Sequence, residues 1–135
     1  MPADLTAEAS TLIEQVYKTP QLKSCPIENT FKIIGKRWTA LILRDLFRGV
    51  TQFNRYRENI EGITPKMLSL RLRELENNGI VKRRITSKHP MRVEYKLTSL
   101  GRELGPLMVQ AGSFSMRMFP KVIFKDGKPR DLMDS

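Results

Sequence analysis

The chain has 135 residues, 40% of them hydrophobic, and carries 24 Lys and Arg against 14 Asp and Glu for a formal charge of +10. That length favours one domain with a single core, and the apolar fraction excludes a disordered tail. The basic excess is the footprint of a polyanion binder, and the apolar runs fall far short of the ~20 residues that cross a bilayer.

From Asp4 to Lys18, Leu5, Leu12, Ile13, Val16 and Tyr17 lie on one helical stripe and predict a first helix. Pro20 breaks it, and Pro26 suits the first position of a second helix, with Phe31, Ile33 and Ile34 on its apolar side and Gly35 at its end. A third helix is expected over Lys36 to Arg48, where Trp38, Leu41, Ile42 and Leu46 recur at helical spacing; Trp38 is read as core. Thr51 is a candidate N-cap for a short helix, Gln52 to Asn59, with Phe53 and Tyr56 facing in. The chain turns at Gly62, and Thr64 caps a helix with Pro65 first, Asn78 last and Gly79 as its left-handed stop. Two β-branched stretches, Ile80 to Thr86 and Arg92 to Leu97, flank the polar turn Ser87 to Met91 and predict a hairpin. Thr98 caps a final helix weakened by Gly105 and Pro106, and the tail from Lys121 is expected to be less ordered apart from Val122 to Phe124. The order is that of a mainly α winged helix-turn-helix with a small β-hairpin, an α+β class.

On the helix from Thr64, Leu68, Leu72 and Leu75 share one face and must pack inward, which turns Lys66, Ser69, Leu70 and Arg73 outward. In a major groove, Arg reads guanine with two hydrogen bonds, while Lys and Ser reach phosphates or base edges. Between Thr64 and Leu97 nine cations stand against three carboxylates, so +6 of the +10 falls in a quarter of the chain. A merely solvated surface would spread its charge; concentrating it on one helix and one hairpin fits phosphate binding. The DNA-binding candidates are Thr64, Pro65, Lys66, Ser69, Leu70 and Arg73 on the helix and Lys88, His89 and Arg92 on the wing, residues 86–92.

Catalysis finds little to work with. The one histidine, His89, sits before a proline in the expected turn; no Cys/His cluster has metal-ligand spacing, no glycine-rich phosphate loop occurs, and the carboxylates are scattered. No enzymatic activity, metal or cofactor is expected. Cys25 is the sole cysteine, so no intrachain disulfide can form, which fits a reducing compartment. The opening Met-Pro-Ala-Asp-Leu lacks the basic and apolar regions of a signal peptide, so the expected location is cytoplasmic. As N-cap before Pro26, Cys25 meets unpaired amides and the positive end of a helix dipole, which favour a thiolate, and Lys23 is a nearby cation in sequence. A small buried packing residue is the competing role.

Several segments together are similar to one family. Cys25-Pro26-Ile27-Glu28, Ile34-Gly35-Lys36-Arg37-Trp38-Thr39, Leu43-Arg44-Asp45-Leu46, Gln52-Phe53-Asn54, Ile63 to Ser69, Arg71 to Glu76 and Arg92 to Thr98 with Gly101 resemble the HxlR-type regulators, MarR-like relatives found in bacteria and archaea. The resemblance covers Cys25 to Leu107; it departs where the family has two glycines before a Lys-Trp pair and this chain has Gly35 followed by Lys36-Arg37. It implies a homodimer joined through its terminal helices, each subunit placing one recognition helix, 64–78, in a major groove and one wing on the backbone or minor groove. It also implies that a cysteine at the Cys25 position senses electrophiles or oxidants in some members.

The expectation is therefore a dimeric, sequence-specific transcriptional regulator that binds double-stranded DNA at a palindromic operator, with Cys25 as candidate redox sensor. The organisation expected is residues 1–24 as a dimerising helix and connector, 25–100 as the DNA-binding domain and 101–135 as a dimerising helix and tail. Leu5, Leu12, Val16, Met108, Phe114 and Met118 supply more apolar surface than a small monomer needs and are the interface candidates. The alternative, a winged helix serving as a protein-interaction module of a transcription complex, predicts apolar or acidic residues where Lys66 and Arg73 stand.

Overall fold

A computed structural model describes residues 8–132. The chain separates into two compact units, Met1–Lys36 and Arg37–Ser135.

The first unit holds α1 (Ala9–Tyr17) and α2 (Pro26–Ile34). Helix is described from Ala9; the expected start at Asp4, and Leu5 with it, lie outside the described residues. Pro26 occupies the first position of α2 and Cys25 caps it. Gly35 ends α2, donating to the Phe31 carbonyl at 2.7 Å. Neither helix has a buried residue.

The second unit contains α3 (Thr39–Phe47), α4 (Phe53–Asn59), α5 (Pro65–Asn77), β1 (Val81–Lys88), β2 (Met91–Leu97), α6 (Ser99–Arg102), α7 (Gly105–Met118) and α8 (Pro120–Ile123). Its core takes Ile42, Leu43 and Leu46 from α3, Tyr56 from α4, Ile60 and Ile63 from the turn, Leu68, Leu72 and Leu75 from α5, and Ile80, Val81 and Leu97 from the hairpin base. Burial, and then the Asp45 carboxylate, push the Tyr56 phenol above its ordinary range. It stays protonated and donates to the Val50 carbonyl at 2.5 Å.

The third helix starts later than expected. Lys36 to Trp38 are outside it, and Trp38 adopts a left-handed backbone with φ 78° before α3. A bulky residue held there costs on the order of 1–3 kcal/mol and persists only where its surroundings over-determine it. Trp38 is half-buried rather than core, with the Arg37 guanidinium 4.4 Å above its ring. Leu43 takes the inward place expected of Leu41, which is exposed.

Gln52, not Thr51, precedes α4 as its N-cap; the Thr51 carbonyl is committed to the hairpin, accepting from Tyr95 N–H at 2.8 Å. The two strands pair antiparallel from Val81 opposite Leu97 to Lys88 opposite Met91, with an irregularity at Thr86. The strands therefore run further than predicted, leaving only His89-Pro90 as the tip. Proline is excluded from a central strand by its missing N–H, but at a two-residue tip no ladder bond is lost.

The expected final helix is broken. Thr98 caps only α6, accepting from Gly101 N–H at 2.9 Å, and α7 restarts at Gly105-Pro106. The tail is also more ordered than expected. Ser113, fully buried in α7, donates to Asp131, which pairs with Arg117 at 3.3 Å. The Arg130 guanidinium lies 4.0 Å from the Phe124 ring centre. A buried hydroxyl needs a partner, and here it comes from beyond the helix, a long-range bond no local pattern reveals.

Candidate nucleic-acid interface

The recognition helix is built by local rules. The Thr64 hydroxyl accepts from Met67 N–H at 3.1 Å, satisfying one of the orphan donors of the first turn, and Pro65 has no donor to orphan. At the other end Asn78 Nδ2 donates to the Glu74 carbonyl at 2.9 Å, and Gly79 turns the chain at φ 75° into β1. Between these stops, Leu68, Leu72 and Leu75 are buried at 0–2% exposure. Lys66, Ser69, Leu70 and Arg73 are all exposed, as are Thr64 and Pro65 at the start of the helix. The leucine stripe thus anchors α5 by one face and leaves a face carrying two cations, a hydroxyl and an apolar side chain. That set suits guanine edges, phosphates and a thymine methyl.

The hairpin carries the second group. Lys88, His89 and Arg92 are exposed at its tip. Lys88 pairs with Met91 and Arg92 with Ser87, on adjacent rungs, so the two cations point from opposite faces of the ribbon. Lys82 and Arg84 are exposed on the stem, while Lys96 is 3.9 Å from Glu94.

One cation of the basic segment does not belong to this surface. Arg71 has only 14% of its side chain exposed; its Nη1 pairs with Glu74 Oε1 at 2.6 Å and its Nε donates to the Arg37 carbonyl at 2.9 Å. Charge counting along the sequence cannot see this, because the acceptor is a backbone carbonyl 34 residues away.

The first unit contains a separate chemical site. Cys25 is half-buried and its sulfur accepts from the Glu28 N–H at 3.5 Å. The Tyr17 hydroxyl lies 3.6 Å from the same sulfur. The Glu28 N–H, and then the Tyr17 hydroxyl, lower the Cys25 pKa below its ordinary value, against the opposing effect of burial. The same hydrogen bond raises the Tyr17 pKa. Lys23 is not what lowers it; Tyr17, expected only as part of an apolar stripe, supplies the second donor. Eight residues and a helix break separate Tyr17 from Cys25, so no helical spacing links them.

Among the interface candidates, Leu12, Phe114 and Met118 are exposed while Val16 and Met108 are half-buried. Phe114 and Phe119 meet edge to face at 5.8 Å and are both more than half exposed. Among the described residues no group of His, Cys, Asp and Glu could hold a metal ion, and no helix is long and apolar enough to cross a membrane.

Two helices crossing through a tight turn, the second with an exposed basic face and followed by a two-stranded ribbon, define a winged helix-turn-helix domain. Residues 33–122 match the HxlR-like helix-turn-helix family. The chain is 40% identical over 93 residues to the HTH-type transcriptional regulator YdeP of Bacillus subtilis, covering 69% of this chain and 73% of that protein. The redox regulator HypR in its oxidized form superposes with a TM-score of 0.64 at 40% identity, over 67% of this chain and 94% of that one. The reduced form of the regulator YodB from B. subtilis gives 0.63 at 36% identity, over 70% and 94%. The chain belongs to the HxlR-like helix-turn-helix family. The family match begins at residue 33, after Cys25.

Proposed function

We propose that this protein is a sequence-specific DNA-binding transcriptional regulator, a dimer that places α5 in the major groove and the wing on the backbone or minor groove. The observation that carries it is the two-sided build of α5, with Leu68, Leu72 and Leu75 buried and Lys66, Ser69, Leu70 and Arg73 exposed. A protein-docking face would not carry Lys66 and Arg73 at its centre. One such helix reads too few base pairs for specificity, so a palindromic operator with half-sites about one helical turn apart, or a multiple of it, is expected.

Dimerisation accounts for two helices that bury almost nothing. Isolated helices shorter than about 12–15 residues are marginal in water, yet α1 has nine residues and no buried one. The only buried residue of the 14-residue α7 is a serine, Ser113, while Phe114 and Met118 are exposed. Leu12 and Val16 on the one helix, and Met108, Phe114 and Met118 on the other, are covered by the second subunit in this reading; Leu5 extends the first set. Residues 25–100 then form the DNA-binding part, with 1–24 and 101–135 as the dimerising ends.

Cys25 is the redox-responsive residue in this reading. Its thiolate is favoured by an amide and a phenol, and the similar regulators include HypR, solved in oxidized and reduced forms, and YodB, solved after diamide treatment. As the sole cysteine of the 135 residues, it forms a disulfide only with another chain or a small thiol. The function is tested by selecting fragments of genomic DNA on the protein in metal-free buffer. Their mobility shift is then measured at two salt concentrations, with and without diamide. Enriched fragments sharing a two-fold motif, and a diamide response absent from Cys25→Ser, are expected. No enrichment rejects the DNA-reading function, and an equal response of Cys25→Ser rejects the sensor.

A further inference from the structure

The geometry points to Arg71 as a positioning residue for DNA reading: it ties the recognition helix to the Arg37-Trp38 peptide instead of touching DNA. The inference rests on the reading of α5 as the recognition helix. Arg71 stands between Ser69 and Arg73 in sequence, at the edge of the exposed face, yet its fork is already used. Nε donates to the Arg37 carbonyl at 2.9 Å and Nη1 to Glu74 at 2.6 Å, with both side chains largely covered. A guanidinium held by a carbonyl and a carboxylate is pre-organised, and that fork geometry is one a lysine cannot reproduce.

What it holds is the strained point of the second unit, Trp38; among the described residues the other non-glycine with positive φ, Gln21, lies in the first unit. The Arg37 carbonyl belongs to the peptide that enters Trp38, the residue with φ 78°. A bulky side chain in that region relaxes unless its surroundings hold it. Four contacts surround it: the Arg71 bond to the preceding carbonyl, the Trp38 carbonyl accepting from Ile42 N–H at 3.0 Å, the Arg37 guanidinium 4.4 Å from the ring centre, and the tip of the indole beside Gly62. A Cβ on Gly62 would stand 3.5 Å from the indole, and Gly62 itself turns at φ 86° between α4 and α5. The tip of the indole therefore lies beside the turn of the helix-turn-helix at Gly62, while Arg71 grips the peptide that enters Trp38. Together they brace α5 at its preceding turn and midway along its length against one fixed peptide. Loss of the brace frees the tilt of α5 without removing any residue from its reading face.

The test uses the full chain and the fact that Trp38 is its sole tryptophan. Arg71→Met keeps the apolar stem and removes both bonds; Arg71→Lys keeps the charge beside Glu74 but lacks the fork. In the free protein, acrylamide quenching of Trp38 fluorescence is expected to rise about twofold in both variants, with far-ultraviolet circular dichroism unchanged, as a local contact opens without unfolding. On DNA, the ratio of selected-fragment to random-duplex affinity is expected to fall about tenfold, while the salt slope on random duplex stays that of the wild type. A slope reduced by about one, with both affinities falling alike, identifies Arg71 as a direct phosphate contact and overturns the inference. So does unchanged Trp38 quenching, or full recovery of both readouts in Arg71→Lys. A wild-type chain that selects no fragment refutes the DNA-reading function itself, and that failure is told apart because the Trp38 readout needs no DNA.

Discussion

The helices α1 and α5 carry similar apolar stripes and have opposite fates. In α5, Leu68, Leu72 and Leu75 are sealed into a core shared with α3, α4 and the hairpin base. In α1, Leu12, Ile13 and Tyr17 remain open to solvent, and no residue is buried. A periodic stripe says that a helix has a face to cover; it does not say what covers it. For α5 the cover comes from its own chain, and its other face stays exposed, the face proposed above to meet DNA. For α1 and α7 the account assigns the cover to a second subunit.

The largest expected effect sharpens this contrast. Leu68→Ala should lower stability by about 2–5 kcal/mol in urea denaturation, because it empties space in a closed core. In dilute monomeric protein, Leu12→Ala should cost less than about 0.5 kcal/mol, since the side chain is exposed within the chain. Equal losses in the two variants would break the comparison.

The next effect concerns assembly. Phe114→Glu places a charge on the open face of α7 and should convert a dimeric sedimentation mass at micromolar concentration to a monomeric one, with the melting temperature of the core little changed. A charge buried without a partner at an apolar interface is not tolerated. A dimer that survives this substitution would remove α7 from the interface.

On the wing the effect is smaller and of a different kind. Lys88→Ala and Arg92→Ala should each weaken binding to every sequence alike and reduce the salt slope by about one. Because the two cations lie on opposite faces of the ribbon, the double variant should lose both contributions only if the tip inserts between phosphates of a groove. A loss confined to one of them would mean that a single face lies against the backbone.

The smallest effect concerns Cys25. Tyr17→Phe removes one of the hydrogen bonds that lower its pKa, second to that of the Glu28 N–H and ahead of that of the Ile27 N–H, so the profile of alkylation rate against pH should move to higher pH. The sign follows from the direction: a folded-state pKa below the ordinary thiol value means that the thiolate favours the fold above that value. This contribution is lost as pH falls through the lowered pKa. A profile unmoved by Tyr17→Phe would mean that the Tyr17 hydroxyl does not lower the Cys25 pKa.

Most of α5 was legible from residue order because its determinants are local. The cap at Thr64, Pro65 at the first position, the leucines at three and four residues and Gly79 at the stop are all readable within one stretch. The hairpin was legible as a pair but not in length, since pairing beside the tip depends on backbone register and not on side-chain type. What stayed hidden depends on distant partners. Arg71 was counted with the DNA-facing charge and is instead tied to Arg37. Tyr17 was counted as apolar and instead reaches Cys25. The tail was expected to be loose and is held through Ser113 and Asp131. Trp38 reads as part of a helix interior, and the contacts that surround its left-handed backbone, from Arg71 and at Gly62, come from elements distant in sequence.

The central claim is that the outward face of α5 reads base sequence. Its most direct test repeats the genomic-fragment selection with Arg73→Ala. The account predicts that the variant still binds DNA but loses base preference at one position in each half-site, at a cost of about 1–3 kcal/mol on the wild-type fragment. Selection of the same motif with the same affinity by Arg73→Ala would contradict it.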